Sequence, residues 1–283
     1  MSRPHSSSSI VNVLSIAGVD PSGGAGLLAD IKTFSALGAF GCGAVTALTA
    51  QNTRAVSAIH EVPPSFLEAQ LDTLFADVHI DAVKIGMLAS PALVRVVEQA
   101  LAAHRPPFVV LDPVMVAKSG DRLLMQDAVM ELRTRLLPAA TIVTPNLPEA
   151  SDLLERPVGD DVASMRDAAR RIHDMGARAV LLKGGHGSTR VLTDVLFDGV
   201  AFAEFRSERI DTRNTHGTGC TFSSAIAALL PQRDSIAEAV RDAHEYVAGA
   251  IRASNDLDVG SGHGPLNHFH LVWRRGHPVT RQS

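Results

Sequence analysis

The feature that most constrains the fold is a repeated alternation of short apolar segments with longer segments of helical periodicity. Near the start, a β-strand is predicted for IVNVLSIAG, and a helix is predicted for GLLADIKTFSALG, where apolar residues recur at helical spacing. The same order recurs from GCGAVTALTA as far as LPEASDLLE. Such alternation predicts parallel strands joined by crossover helices.

Several predicted strands are apolar along their whole length, as at residues 108–111 and 179–182. Strands of this kind are typical of sheets covered on both faces. Farther along, RVLTDVLFDG and VAFAEFRSERI flank a glycine-containing turn and predict antiparallel strands at one edge, before a final helical pair from Thr218 to about Asn255. We therefore predict an α/β fold with a doubly wound, mainly parallel central sheet and helices on both faces.

The composition favours a globular protein that binds a small molecule. Of the 283 residues, 46% are apolar and 20% are charged, which is enough apolar material for a sizeable core. The formal net charge is -4 with both signs interspersed, and this excludes a basic surface for nucleic acid or anionic lipid. No apolar stretch reaches the roughly 18 residues that a membrane span requires.

The chain shows no linker and no internal repeat, so we expect a single domain over residues 10–272. Residues 1–9 are predicted to form a disordered N-terminal tail without the apolar core of a secretory signal, and residues 273–283 a C-terminal tail. Cys42 and Cys220 are far apart and match no disulfide or metal spacing, which favours a reduced, cytoplasmic protein.

Polar and glycine-rich residues follow the predicted strands, where doubly wound sheets bind their ligands. They are Asp20 with PSGGAG, Gln51 and Asn52, Lys84 to Met87, Asp112 to Met115, Thr144 to Asn146, and Lys183 to Gly187. The glycine-rich DPSGGAG matches neither the dinucleotide-binding pattern nor the P-loop pattern. It indicates either a turn that approaches a ligand closely or a purely structural turn.

The segment THGTGCTFSSAIAALL runs from two glycines and a cysteine into an apolar helix. Free N–H groups at such a helix start can hold an anion such as a transferring phosphate, although an ordinary glycine-assisted helix start fits the pattern equally well. At that position the helix dipole favours a thiolate, so Cys220 can serve as a base or nucleophile, with His216 four residues before it. The alternative is a small buried side chain.

Asp112 and Glu149 follow predicted strands and offer oxygen ligands for Mg²⁺, with Asn146 nearby. A single carboxylate at such a position is more often a helix cap or a surface charge. Lys183 can meet a phosphate or remain solvated. The three histidines of SGHGPLNHFH, namely His263, His268 and His270, fit no common zinc spacing, and we reject a zinc site.

Taken together, these stretches resemble the hydroxymethylpyrimidine/phosphomethylpyrimidine kinases of the ribokinase-like superfamily. The likeness spans nearly the whole chain and includes SIAGVDPSGGAGLLADIKTFSALGAFGCGAVTALTAQNT, KIGML, VVLDPVMVAKSGDRLL, RLLPAATIVTPNLPEA, VLLKGGHG, NTHGTGCTFSSAIAA and GHGPLNHFH. The resemblance implies a ribokinase-like kinase domain that forms a homodimer. It also implies phosphorylation of 4-amino-5-hydroxymethyl-2-methylpyrimidine to the monophosphate and then the diphosphate, with ATP and Mg²⁺.

The resemblance also assigns roles to particular residues. Asp30 and Gln51 are expected to bind the aminopyrimidine, while Met87 and Val114 line its ring. The anion hole is expected at Gly217, Gly219 and Cys220, the metal at Asp112 and Glu149, and ATP at Asn146, Lys183 and His216. The VAKSGDRLL loop is expected to be either a lid over bound ATP or an ordinary mobile loop.

Other kinases of that superfamily commonly place an aspartate base where this chain has Cys220. A thiolate can take the proton of the alcohol in the first phosphorylation, whereas the monophosphate in the second is already anionic. We therefore predict that Cys220→Ala slows the first step more than the second.

Two other functions remain open from the sequence. A pyridoxal or pyridoxamine kinase is the nearer alternative, because its substrate is also an aromatic hydroxymethyl compound; Gln51 and ADIKTFSALGA favour the pyrimidine. A non-catalytic pyrimidine sensor is the alternative from another class, and the presence of the expected anion-hole and metal residues argues against it.

Overall fold

Nine strands form one central sheet in the part of the chain that the computed structural model describes, which is residues 10–115, 126–185 and 190–273. They are β1 (Asn12–Val19), β2 (Phe40–Gln51), β3 (Val56–Glu61), β4 (Ala82–Ile85), β5 (Phe108–Leu111), β6 (Ile142–Val143), β7 (Val180–Leu182), β8 (Val191–Phe197) and β9 (Phe202–Glu208). Their order across the sheet is β3-β2-β1-β4-β5-β6-β7-β8-β9.

The central part of the sheet, in the spatial order β2-β1-β4-β5-β6-β7, is parallel throughout, which confirms the prediction from the alternating pattern. The antiparallel edge formed by β8 and β9 is also confirmed. The opposite edge strand, β3, pairs antiparallel with β2 and is not predicted from the sequence. Four of its six residues are exposed and none is buried, so the strand carries no apolar alternation by which it would be recognised.

The helices connect these strands. They are α1 (Gly26–Ala36), α2 (Pro64–Asp77), α3 (Pro91–His104), α4 (Gln126–Glu131), α5 (Leu147–Leu154), α6 (Val162–His173), α7 (Thr218–Leu229) and α8 (Ile236–Arg252). A π-helical turn (Leu132–Leu136) and a 3₁₀ turn (Leu137–Ala139) continue α4, and further 3₁₀ turns follow α7 (Leu230–Gln232) and α8 (Ser254–Asp256).

Two hydrophobic cores lie on opposite faces of the sheet. Neighbouring strand residues alternate between them, as Leu14 packs in one core and Val13 in the other. Helices α2 to α6 cover the first face, and α1, α7 and α8 cover the second. This arrangement confirms the doubly wound fold with helices on both faces. It also directs the start of α7 toward the carboxyl ends of the central strands.

Some sequence predictions lie outside the described residues. These are the tail at residues 1–9, the residues after 273, and the VAKSGDRLL loop at 116–124. Among the helices in the described ranges, none is both long and apolar enough to cross a membrane.

Candidate active site

A cleft of about 670 Å³ lies where the parallel strands end and their loops lead into helices. Every predicted site residue except Asp30 lines it. The lining set comprises Gln51, Met87, Asp112, Val114, Asn146, Glu149, Lys183, His216, Gly217, Gly219 and Cys220. The parallel topology explains this convergence, because the carboxyl ends of neighbouring parallel strands meet at one edge of the sheet.

The start of α7 lies between two polar parts of the cleft. Gly217 has φ +78, and a Cβ at this position would lie 1.8 Å from the carbonyl oxygen of Gly24, so only glycine fits here. Farther into the helix, a Cβ on Gly219 would lie 3.4 Å from Lys183 Nζ and 3.9 Å from Asp112 Oδ2. The helix start therefore faces both an ammonium and a carboxylate, a setting in which its N–H groups and the lysine can hold a phosphate together.

Asp112 lies at the centre of the charged part of the cleft and is almost fully buried. Its Oδ1 accepts hydrogen bonds from Lys183 Nζ and Thr144 Oγ1, both at 3.1 Å, and its Oδ2 accepts one from Ser223 Oγ at 3.1 Å. Burial alone would raise the pKa of Asp112, but the positive charges of Lys183 and Lys84 hold it below the usual value. The carboxylate is therefore ionised at neutral pH.

Glu149 and Asn146 form a reciprocal cap at the start of α5. Asn146 Oδ1 accepts from the Glu149 N–H at 2.9 Å, and Glu149 Oε2 accepts from the Asn146 N–H at 2.8 Å. The cap fixes the Glu149 side chain on the cleft wall. Burial raises the pKa of Glu149 to about 7; the negative charge of Asp112 adds to this, and Lys183 opposes it. Glu149 can thus exchange a proton near neutral pH.

Cys220 is the third residue of α7, at the position predicted for it. The expectation that the helix start lowers its pKa is wrong. Removal of the thiol from water raises the pKa of Cys220 to about 11; the charges of Asp30 and Asp112 add to the shift, while Lys84 and the Gly26 N–H oppose it. The group is a neutral thiol at pH 7.

Asp30 lies beneath the cleft and not in its lining, which corrects the expectation of a direct contact with the pyrimidine. The carboxylate has no exposed surface. Its Oδ2 accepts from Ser15 Oγ at 2.6 Å and from Lys84 Nζ at 2.8 Å, and its Oδ1 accepts from Ser224 Oγ at 2.7 Å. Because these donors occupy both oxygens, Asp30 organises the floor under the cleft.

His216, which is predicted to face ATP, lies beside Asp20 and Gln51 in the cleft. Its Nε2 lies 2.8 Å from Asp20 Oδ2 and 3.5 Å from Gln51 Nε2, so the ring belongs to the part of the cleft that contains Gln51. Asp20 is buried and also accepts from the N–H groups of Ser22 and Ala25. From the sequence, Asp20 is recognised only as a strand-end residue, because its pairing with His216 joins positions 196 residues apart.

The cleft has two parts that differ in the side chains they present. One part presents an amide, an imidazole and apolar side chains to a small ring, and the other presents a lysine and two carboxylates beside an open helix start. Phosphoryl transfer requires a held anion, compensating positive charge and a positioned acceptor, and it requires little other chemistry from the protein. The fold and the cleft therefore define a small-molecule kinase with a ribokinase-like fold.

Comparison with known proteins identifies the family. The model of the phosphomethylpyrimidine kinase family matches residues 20–267, and the chain belongs to this family. The hydroxymethylpyrimidine/phosphomethylpyrimidine kinase of Escherichia coli (strain K12) is 49% identical over 263 residues, which cover 93% of this chain and 99% of that protein.

Two solved structures are similar to the whole fold. An ADP complex of Bacillus subtilis pyridoxal kinase is 36% identical with a TM-score of 0.86, and the match covers 93% of this chain and 99% of that chain. A phosphomethylpyrimidine kinase from Clostridium difficile 630 is 38% identical with a TM-score of 0.76, covering 85% of this chain and 99% of that chain. Both neighbours are kinases, in agreement with the chemistry of the cleft.

Proposed function

We propose that this kinase phosphorylates 4-amino-5-hydroxymethyl-2-methylpyrimidine to its monophosphate and then to the diphosphate, for thiamine biosynthesis or salvage. The observation that carries the proposal is the contact between the ring-binding and phosphoryl-binding parts of the cleft. Gln51 lies 3.5 Å from His216, and His216 directly precedes Gly217, the first residue of the anion loop that residues 217–220 form. A hydroxymethyl group on a ring held at Gln51 thus has a short path to a phosphate held at α7.

In this proposal Gln51 binds the aminopyrimidine through its amide, which has both a donor and an acceptor for the exocyclic amine and a ring nitrogen. Met87 and Val114 line the cleft and contribute apolar contacts with the ring faces. Asp30 contributes indirectly through the buried network beneath the floor.

ATP is the proposed phosphoryl donor, supported by the ADP held in the similar B. subtilis kinase. Lys183 and Asn146 line the same cleft and would face the nucleotide, while the N–H groups at Gly217, Gly219 and Cys220 would hold the transferring phosphoryl group. In the first reaction the thiolate form of Cys220, a small fraction of the residue at pH 7, would accept the hydroxymethyl proton. The monophosphate is anionic, and its phosphorylation needs no such base.

The donor set of the cleft fits Mg²⁺. Within the described residues, no three or more acidic, histidine or cysteine side chains are arranged so that they could hold a metal ion together, but Asp112 and Glu149 supply two buried carboxylates. Magnesium is commonly bound by one or two carboxylates together with phosphate oxygens and water. Asp112 and Glu149 would hold the ion, which when bound would neutralise negative charge on the phosphates.

Pyridoxal phosphorylation is the second candidate, and one observation favours it: the TM-score is 0.86 with the B. subtilis pyridoxal kinase and 0.76 with the C. difficile phosphomethylpyrimidine kinase. The family match and the 49% identity over nearly the full length of the E. coli enzyme favour the pyrimidine. Pyridoxal is therefore proposed as a side substrate.

The deciding experiment measures ADP release by the purified protein with MgATP and, separately, hydroxymethylpyrimidine, its monophosphate or pyridoxal, with products identified by mass. Sequential appearance of mono- and diphosphate is expected. Gln51→Ala should abolish pyrimidine turnover at low substrate concentration and leave ATP binding intact. Pyridoxal phosphate as the main product would replace the assignment, and ring binding without turnover would indicate a sensor.

Three further expectations from the sequence stand as part of this proposal. They are a single kinase domain over residues 10–272, a homodimer, and a cytoplasmic location. The one continuous sheet supports the first, and the free thiols of Cys42 and Cys220 agree with the last. Sedimentation of the full chain would test the homodimer.

A further inference from the structure

The amide of Gln51 lies between two side chains that donate their hydrogen atoms to other residues. One terminal atom of the amide, Oε1, lies 3.1 Å from Thr49 Oγ1, and the other, Nε2, lies 3.5 Å from His216 Nε2. The oxygen and nitrogen of a glutamine amide have nearly the same shape, so their identity must be decided from their hydrogen-bond partners. Here those partners are Thr49 and His216.

His216 must donate through Nε2. Its neighbour Asp20 is buried and accepts from His216 at 2.8 Å, from the Ser22 N–H at 2.9 Å and from the Ala25 N–H at 3.1 Å. Burial opposes ionisation, but the bonds from His216 and Ser22 outweigh it and lower the pKa of Asp20. An ionised carboxylate only accepts, so the Nε2 hydrogen of His216 points at Asp20. That nitrogen cannot accept from Gln51.

The Thr49 hydroxyl donates its hydrogen to a group other than Gln51. The hydroxyl has one hydrogen, and Oγ1 lies 2.9 Å from the carbonyl oxygen of Val19, which can only accept. The hydroxyl hydrogen therefore points at Val19, which is the nearer of the two oxygens. The remaining lone pairs of the Thr49 oxygen are free to accept from an amide N–H.

We infer that Thr49, His216 and Asp20 fix the Gln51 amide with its nitrogen toward Thr49 and its oxygen toward His216. In this orientation the amide donates to Thr49, and its oxygen faces the N–H of His216. In the opposite orientation, the Gln51 N–H would face the N–H of His216, so two donors would meet without an acceptor. The single hydroxyl hydrogen of Thr49 would also have to serve two acceptors, the oxygens of Val19 and Gln51. Thr49, His216 and Asp20 are thus positioning residues for ring recognition.

This orientation orders the groups that Gln51 presents to the cleft. One free N–H faces a ligand on the Thr49 side, and one free oxygen lone pair faces it on the His216 side. The matching ring edge has an acceptor beside a donor in the complementary order, as a 4-aminopyrimidine has in its ring nitrogen and exocyclic amine. The corresponding 4-oxo ring has a carbonyl and a ring N–H, which reverses the order.

The inference rests on the proposed function, because it takes an aminopyrimidine as the ring that Gln51 binds. A comparison of the binding of two rings tests the inference. Calorimetry would compare 4-amino-5-hydroxymethyl-2-methylpyrimidine with its 4-oxo analogue on the nucleotide-free protein. The wild type should bind the amino ring about 100-fold more tightly than the oxo ring. A pair of hydrogen bonds to the edge of a base discriminates between rings by about 1–3 kcal/mol. Thr49→Val, which keeps the shape and removes the acceptor, should lower this preference about tenfold.

The matched control is Thr46→Val on the same strand. Thr46 also donates to a carbonyl, that of Met87 at 2.7 Å, and within the described part of the chain it has no hydrogen bond with Gln51. This variant should retain the preference for the amino ring. Equal binding of the two rings by the wild type, or an equal loss of preference in both threonine variants, would overturn the inference.

Neutron diffraction from deuterium-exchanged crystals of the ligand-free protein tests the orientation independently of catalysis. Deuterium on the Gln51 atom that faces Thr49, together with deuterium on His216 Nε2, would support it. Deuterium on the Gln51 atom that faces His216 would overturn it. A protein with the inferred orientation that fails to phosphorylate the amino ring would overturn the proposed function alone.

Discussion

Lys84 Nζ lies 2.8 Å from Asp30 Oδ2, and neither side chain has any exposed surface. Burial by itself would lower the pKa of Lys84, but the negative charges of Asp30 and Asp112 and the hydrogen bond to Asp30 raise it above its usual value. Ser15 and Ser224 complete the hydrogen bonds of the carboxylate. The ion pair and these two bonds together join β1, α1, β4 and α7 directly beneath the cleft.

Lys84→Met should destabilise the protein by about 3–5 kcal/mol, because it leaves the Asp30 carboxylate buried without its cation. The free energy of unfolding from urea titration measures this loss. The double variant Lys84→Met with Asp30→Leu should recover part of it, since both charges are then absent. Arg171→Ala removes an exposed ion pair with Asp167 and should change the stability little. A similar small effect for Lys84→Met would contradict the prediction.

The case of Asp30 shows what the sequence could predict and what it could not. Apolar periodicity identifies α1 and places Asp30 on it, because that pattern reflects local helix geometry. The partner charge, Lys84, is 54 residues away, and no local pattern indicates which distant groups will face each other across a core. The resemblance to a family predicts that Asp30 binds the substrate in the cleft, whereas the contacts show that Asp30 forms an ion pair with Lys84 below the cleft.

Gly217→Ala should lower both stability and activity. The substitution places a side chain at φ +78 and a Cβ 1.8 Å from the Gly24 carbonyl oxygen, so the anion loop must move away from the loop before α1. Strain of the backbone alone costs on the order of 1 kcal/mol, and the displacement adds to it. Gly185→Ala is the control, because a Cβ there would have no described residue within 4 Å other than its chain neighbours. Equal unfolding free energies for the two variants would contradict this account.

Cys220→Ala should slow the first phosphorylation more than the second. Because burial raises the pKa of Cys220 to about 11, little thiolate exists at pH 7, and the first-step rate should rise with pH through the alkaline range. The second step should lack this rise. Single-turnover rates for each substrate between about pH 7 and 9 measure both effects, with the alanine variant expected to lose the pH dependence. Equal losses in both steps would refute a role as base.

Glycines and strand ends indicate the site because they reflect local backbone requirements, and the cleft lies where they predict it. Electrostatic properties are harder to predict from the sequence. The helix dipole predicts a lowered pKa for Cys220, which is the wrong direction because burial and two nearby carboxylates outweigh the dipole. Likewise, no local pattern in the sequence indicates the pairing of His216 with Asp20. These quantities depend on distant neighbours and on solvent exposure.

The buried His268 should make the protein less stable in acid. Burial, with the nearby charges of Lys32 and His270, lowers the pKa of His268 to about 4, and its Nε2 lies 3.1 Å from Thr221 Oγ1. Between pH 6.5 and about 4 the unfolded chain binds a proton at this histidine and the folded protein does not. The free energy of unfolding contributed by this group is therefore fully present above pH 6.5 and falls with decreasing pH down to about 4.

Glu149 has the opposite effect on the stability in acid. Its pKa is raised to about 7 in the folded protein, so its protonation stabilises the folded state as the pH falls below that value. The wild-type curve combines both groups, so the difference between His268→Gln and wild type isolates the histidine. Relative to wild type, the free energy of unfolding of the variant should increase by roughly 3 kcal/mol between about pH 7 and 4 in urea titrations, since each pKa unit corresponds to about 1.4 kcal/mol. His60→Gln, at an exposed position of β3, controls for the loss of an imidazole. A pH-independent difference for His268→Gln would show that the pKa of His268 is the same in the folded and unfolded protein, which would contradict the prediction.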